Sequence, residues 1–533
     1  MNPMKRFSFF FLLFSLGLQA QTRWQPSQLI KWSSANENYR NTYFKAAYDG
    51  YIDLLSEIKD KPEIYLAAGK SAYQIRLFSE ASFLFSRARQ VSTKPLPELD
   101  LWEGKTWFGE GQLDSAIALL NRAQPQLKGE DQDDAKLWLS YAKNARREKA
   151  KPQAVGIRPI DVLNTDGVES SVFLSLDENT LFFTSARQEN TGKDMDEENG
   201  IYFQDIWTSR RDSLSKTWTE PQPLPGNVNT PQHDACLGLS PQGDMLFVYK
   251  SEKGGDIFYS RCDKKGNWRE PKPMGGDINT SYFESSACLS ADAKTMYLIS
   301  EREKRGAKGN GDIWMLKKEK RTEYGSATNL GTPVNTLYDE NSVSIHPDGK
   351  TLFFSSNRPE SMGGYDIFVT RREGNSWLPP QNLGYPINTE GDEVYFSLSV
   401  DGNTGWVSSR RKESLGESYD IYEIDLSNYV LPLDRNSAAK RPTVCLLQGK
   451  ILDKSNAMAI ETELRLTDAN GKLIQTIETA ENGEFRVSIP GDQSFTLQAA
   501  PKGYQPQSEP VLIKSVAGKT QSLTKVFLMA PQP

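Results

Sequence analysis

Three short landmarks recur five times between residues 155 and 427, and this repetition limits the available folds more than any other feature of the chain. The first is an Asn-Thr pair: Asn164-Thr165, Asn229-Thr230, Asn279-Thr280, Asn335-Thr336 and Asn388-Thr389. The second is an acid four residues after each Thr: Glu169, Asp234, Glu284, Glu340 and Glu393. The third is Asp-Ile-aromatic, at Asp205-Ile206-Trp207, Asp256-Ile257-Phe258, Asp312-Ile313-Trp314, Asp366-Ile367-Phe368 and Asp420-Ile421-Tyr422. In the fullest unit, Ser342 and Ser344 alternate with Val343 and Ile345, the period of a strand with two unlike faces. Asp348-Gly349 supplies a tight hairpin turn. Leu352, Phe353 and Phe354 read as a strand buried on both faces. Gly363-Gly364 turns the chain, Asp366 to Thr370 makes a third strand, and Trp377 and Leu383 anchor a fourth. Four short strands per repeat of about 50–65 residues, with no helix between them, predict a β-propeller.

The ends of the repeat set the blade number. Arg158 to Thr165 carries the end of a unit without its beginning, and Glu393 to Leu426 carries a beginning without an end. Pairing the two fragments closes the ring and removes an open edge. Five blades are predicted, with six as the alternative. The run from His346-Pro347-Asp348-Gly349 to Leu352-Phe353-Phe354-Ser355-Ser356, followed by Gly363-Gly364 and Asp366-Ile367-Phe368, resembles the WD40-like repeat of TolB-type propellers. The resemblance implies that fold for residues 155–430 and leaves function open, because the fold hosts many activities.

Residues 25–150 lack strand alternation, and two segments align at a fixed offset. Gly69-Lys70 matches Gly104-Lys105, Tyr73 matches Phe108, Phe78 matches Leu113, Ala81 matches Ala116, Phe85 matches Leu120, and Arg87-Ala88 matches Arg122-Ala123. A period of about 34 with small residues at helix crossings resembles the tetratricopeptide (TPR) helix pair. A degenerate unit is expected around Tyr43 to Ile58 and a capping helix around Asp134 to Arg147. The alternative is a plain helical bundle packed on the next domain. After a polar linker, Asp434 to Lys440, residues 443–533 read as short strands with Gly turns, an all-β sandwich. Gly449, Asn482-Gly483-Glu484-Phe485, Pro490-Gly491 and Gly503-Tyr504 resemble the carboxypeptidase regulatory-like fold, which implies a spacer or docking module without catalysis.

Residues 1–20 read as a secretory signal. Lys5 and Arg6 precede an apolar run from Phe7 to Leu18, and cleavage after Ala20 would leave Gln21 first. The run falls short of the roughly 20 apolar residues that span a bilayer. An uncleaved anchor is the alternative, and the mature protein is expected to be soluble and exported. The 63 basic and 69 acidic residues leave a net charge of −6, without the basic footprint of a nucleic-acid binder. Cys236, Cys262, Cys288 and Cys445 form no C-x-x-C pair, so a zinc or redox motif is not indicated.

The two histidines, His233 and His346, leave little room for a serine-hydrolase site, and no G-x-S-x-G elbow, P-loop or H-E-x-x-H occurs. His346 occupies a turn position that other repeats fill with Ser175, Ser240, Ser290 and Ser399, which reads as scaffold. No catalytic, cofactor-binding or metal-binding residue is assigned, and no cofactor is expected. The repeated acids could ring a channel, but a fixed acid in every blade more often accepts hydrogen bonds from its own or the next blade. Arg187, Arg302, Arg358 and the pair Arg410-Arg411 are candidates to hold an anionic ligand or to meet those acids. Tyr282, Phe283, Tyr338, Tyr385 and Tyr395 are candidate partner contacts at the propeller rim, since aromatic loop residues suit interfaces.

The order of signal, TPR-like repeats, propeller and regulatory-like sandwich resembles the PorE-like periplasmic component of the type IX secretion system of Bacteroidetes. In that family an OmpA-like peptidoglycan-binding domain follows. The sequence here stops at Pro533, so peptidoglycan anchoring is not carried over. The resemblance implies a non-catalytic periplasmic scaffold that binds other envelope or secretion proteins through the helical groove and a propeller face. Association with the outer membrane would be indirect. The alternatives are a carbohydrate- or cell-wall-binding propeller and a hydrolase or lyase that uses channel carboxylates.

Overall fold

The computed structural model describes residues 24–532 apart from 197–200, 213, 251–255, 305, 321–322, 416–417, 435–443 and 515–520. The expected signal segment and nearly all of the expected linker lie outside the described residues. The chain packs as two compact units, one up to Trp107 and one from Phe108 onward. Among the described residues, no helix is long and apolar enough to cross a membrane.

The helical repeat region comprises α1 (Pro26–Arg40), α2 (Phe44–Glu57), α3 (Pro62–Gln74), α4 (Phe78–Val91), α5 (Pro97–Gly109), α6 (Leu113–Ala123) and α7 (Glu130–Lys149). The starts of α5 and α6 each fall 35 residues after those of α3 and α4, the offset read from the side chains. Each pair is joined by the same turn, with its left-handed residue at Thr42, Arg76 and Gly111. Within the first unit, a Cβ on Gly69 would lie 2.4 Å from the Phe85 ring, so glycine is what lets α3 approach α4. Ala81 and Phe85 are fully buried at that crossing.

The last helix, α7, packs against the β region. Asn144 donates to the carbonyls of Pro359 and Ser361 at 2.8 and 2.9 Å, Tyr141 donates to Asn357 O, and Lys149 pairs with Glu390. These bonds tie α7 to loops of the β region, within the compact unit that begins at Phe108.

Five antiparallel sheets follow, each carrying one set of landmarks. Their first strands are Glu169–Leu174, Asp234–Leu239, Glu284–Leu289, Glu340–Ile345 and Glu393–Leu398. Second strands begin at Thr180, Met245, Thr295, Thr351 and Thr404, and third strands at the Asp of each Asp-Ile-aromatic. In the fifth sheet the edge strand comes from the start of the β region: Gly156–Pro159 pairs antiparallel with Asp420–Asp425. The apolar cores lie between sheets. Phe182 and Ile206 meet Cys236 and Val248, Phe247 and Ile257 meet Leu298 and Trp314, and Tyr297 and Ile313 meet Phe354 and Phe368. Phe353 and Ile367 meet Phe396 and Val407, and Trp406 and Ile421 return to Leu181 and Phe183 of the first sheet. Side chains on both faces of each sheet therefore find an apolar neighbour, which is why Leu352-Phe353-Phe354 reads as a doubly buried run.

The last segment forms two sheets over one core. One orders Glu484–Pro490, Val444–Asp453 and Ser522–Met529, and the other orders Leu473–Glu478, Glu463–Asp468, Ser494–Ala499 and Gln507–Leu512. Leu447, Leu464, Phe485, Phe495 and Phe527 fill the space between them. A Cβ on Gly449 would lie 1.8 Å from Lys525 O, so the parallel pairing there needs glycine.

Candidate functional site

The repeated polar residues form one network per sheet. Each Asn grips both backbone groups of the Ile in Asp-Ile-aromatic. Asn335 accepts from Ile313 N at 3.0 Å and donates to Ile313 O at 2.9 Å, and Asn229, Asn279 and Asn388 grip Ile206, Ile257 and Ile367 in the same way. Asn164 does this to Ile421, 257 residues away, at 2.8 and 3.1 Å, and so joins the two ends of the β region. Each Thr donates its backbone and hydroxyl groups to the acid four residues on, as Thr389 does to Glu393 at 2.7 and 2.8 Å. The acid's own amide crosses to the preceding sheet. Glu340 N donates to Gly311 O, Glu393 N to Tyr365 O, and Glu169 N to Tyr419 O.

The candidate anion-binding arginines point inward to these acids. Arg187, Arg302 and Arg358 are buried, and each donates to its sheet's glutamate (2.8 Å for Arg358 to Glu340), to a serine and to a loop carbonyl. They are therefore engaged by the protein itself. In the fifth sheet the corresponding residue is Arg411, which donates to Ser409 and Ile387 O and faces Glu393 at 3.8 Å. Arg410 is displaced from that position, and its amide donates to Asp392 O. The guanidinium also stacks on the aromatic of Asp-Ile-aromatic, at 4.4 Å for Arg187 over Trp207 and 4.5 Å for Arg411 over Tyr422. Burial pushes Glu340 up to about 7 against the opposing pull of Arg358.

Sequence reasoning passed over Lys250. In the second repeat of the sequence the acid is the shorter Asp234, the serine sixteen residues on is replaced by Lys250, and the residue aligned with the arginine of the other units is Glu252, which lies outside the described residues. Lys250 pairs with Asp234 and donates to Val228 O at 3.2 Å. The three coincident departures at one unit were the available signal.

The Asp of Asp-Ile-aromatic anchors the loop before its own strand. Asp205 accepts from Thr191, Asp366 from Met362 N and Asn382, and Asp420 from Leu415 N. Burial raises all three carboxyls, Asp420 to about 6, and the acid of the next sheet adds to each shift. Among the described residues, no group of three or more His, Cys, Asp or Glu side chains is placed to hold a metal ion.

The rim candidates separate. Tyr282 and Phe283 are exposed on the loop that leads into the first strand of the third sheet, and Leu337, 82% accessible, lies on the corresponding loop of the fourth. Tyr338 is half-buried on the same loop as Leu337. Tyr385 lies under Lys149, and its carbonyl accepts from Gln153 N, so the end of α7 and the segment after it cover that residue. Tyr395 is not at the rim. It sits mid-strand at φ +52°, packs edge-on against Phe173, and donates across to Ser285 O in the third sheet. Its side chain thus reaches from the fifth sheet to the first and the third.

At the other end of the first strands, turns of the first, second and fourth sheets meet the two-sheet segment. Arg486 donates to Gln242 O at 3.0 Å and lies 3.4 Å from Asp177, and Ser488, on the same strand, donates to Pro347 O at 2.8 Å. Glu481 and Glu478 pair with Arg269 and Lys318.

No family model matches the chain, and no curated protein matches it. Solved structures do share parts of its fold. The α-L-arabinofuranosidase from Lactobacillus brevis is 12% identical over 50% of this chain and 93% of its own, with a TM-score of 0.32. The WD40 repeats of RRP9 are 9% identical over 50% and 97%, with a TM-score of 0.28. The Yersinia enterocolitica type III secretion chaperone SycD, in complex with a peptide of the translocator YopD, is 15% identical over 22% and 95%, with a TM-score of 0.21.

Proposed function

We propose that the chain is a non-catalytic protein-binding scaffold of a bacterial cell envelope, exported to the periplasm and related to type IX secretion. On this reading the helical repeats are TPR-like, the five sheets are the blades of a TolB-type propeller, and the last two sheets are a regulatory-like sandwich. The closed cycle of inter-sheet cores and the Asn164–Ile421 clasp support five blades rather than six. The observation that carries the functional reading is the division of labour among the repeated residues. The blade acids and arginines bond to one another inside the sheets, while Tyr282, Phe283 and Leu337 stand exposed at the end where the first strands begin. Exposed aromatic and aliphatic side chains on rigidly held loops suit a protein partner.

The test is photocrosslinking in cells with a reactive residue at Phe283 or Leu337, and at Leu214 as an exposed control on another loop. Envelope or secretion proteins should be captured from the first two sites and not from the third. Capture of glycan or peptidoglycan fragments without protein would replace this reading with a cell-wall-binding one.

A further inference from the structure

The five turns after the first strands line a cavity of about 130 Å³ that is open on one side. Its wall is a ring formed by the last residue of each first strand: Leu174, Leu239, Leu289, Ile345 and Leu398. Phe173 also lines it and rests on Tyr395. The strand Glu484–Pro490 approaches the opposite side, where Arg486 and Ser488, two residues apart, reach turns of the first, second and fourth sheets.

We propose that this chamber binds a small uncharged apolar molecule of about the size of benzene. Polar side chains in its wall are turned to the protein. Ser175, Ser240 and Ser399 donate to Asp177, Asp244 and Asp401 of their own turns. Ser344 and Ser397 donate to the carbonyls of Phe396 and Val172, Glu178 accepts from Val400 N, and His346 Nε2 lies 3.2 Å from Ser399 O. The indole N–H of Trp406 alone among these groups has no acceptor, so a ligand oxygen has at most that donor to meet. An anion would enter beside the Glu178 carboxyl with no cation in the wall to meet it, which such surroundings penalise. A cavity of about 150 Å³ has room for benzene or xenon. The contacts made by Arg486 and Ser488 are polar, and polar contacts between domains permit the relative motion that entry requires.

The experiment is ligand-observed ¹⁹F NMR of fluorobenzene with the full chain. Saturable broadening with a Kd of the order of 1 mM is expected, and xenon should compete with it. Leu289→Trp and Leu398→Phe fill the chamber and should weaken binding at least tenfold, whereas Phe283→Ser, on the opposite loops, should leave it unchanged. No saturable binding to the folded wild-type chain would overturn the proposal. So would failure of xenon to compete, which needs no variant to fold, or undiminished binding in both folded filling variants.

Discussion

Asn164 holds the two ends of the β region together, and its removal has a cost that can be worked out. In Asn164→Ala, Ile421 N loses its acceptor and Ile421 O loses one of two donors, since Ile160 N still reaches that carbonyl at 3.0 Å. Ile421 is fully buried, so its amide is left without water or a partner. Two neutral hydrogen bonds and one orphaned buried donor together amount to about 2–4 kcal/mol. The loss falls on the seam, because every other Asn grips an Ile only 21–23 residues away in a continuous stretch of chain. Hydrogen exchange read by mass spectrometry on a peptide spanning residues 418–425 isolates the effect. Two kcal/mol of local stability should speed its exchange about 30-fold. Asn335→Ala removes the same pair of bonds from Ile313 and should speed exchange around Ile313 while leaving 418–425 protected. Wild-type protection of 418–425 in Asn164→Ala would refute the reasoning that this side chain closes the ring.

Arg358→Met should destabilise the β region by about 3–5 kcal/mol by leaving the Glu340 carboxylate buried and unpaired, and adding Glu340→Gln should recover most of the loss in thermal melts. Asp420 has a raised folded pKa, so it favours the folded state below its unfolded value of 3.8, and that contribution is lost as pH rises through about 6. Up to about 3 kcal/mol should disappear between pH 4 and 7, and Asp420→Asn, which keeps the acceptor for Leu415 N, should flatten that part of a stability–pH curve. Gly69→Ala should cost about 1–3 kcal/mol despite alanine's better helix propensity, because its Cβ meets the Phe85 ring, and Phe85→Leu should relieve the clash when the double variant is melted.

How much of the site was legible depends on how far each contact reaches along the chain. The Thr-to-acid bond spans four residues, so its spacing is visible in every repeat as written. The Glu–Ser–Arg set spans sixteen and two residues, and its regularity was equally present, but nothing local says that the arginine turns inward. That choice belongs to the desolvated glutamate, which draws the guanidinium in, while the aromatic two residues after each Asp gives it a face to stack on. Arg410 and Arg411 are neighbours in sequence, and only the strand register decides that Arg411 takes the inward place. Tyr395 reads as one more loop aromatic because its φ of +52° has no signature in residue type.

The order of a helical repeat region and five strand repeats, the offset of the paired helices, and the split unit shared between the two ends of the β region are all legible in the linear chain. Periodicity and spacing are local properties that survive in a linear string. Only the folded chain shows that α7 packs with the sheets, that the arginines serve the glutamates, that Tyr395 reaches across to the third sheet, and that Arg486 meets the turns of the first two sheets. Each of these is a contact between residues far apart in the chain, and its existence depends on the cooperative placement of whole sheets rather than on any one stretch of residues.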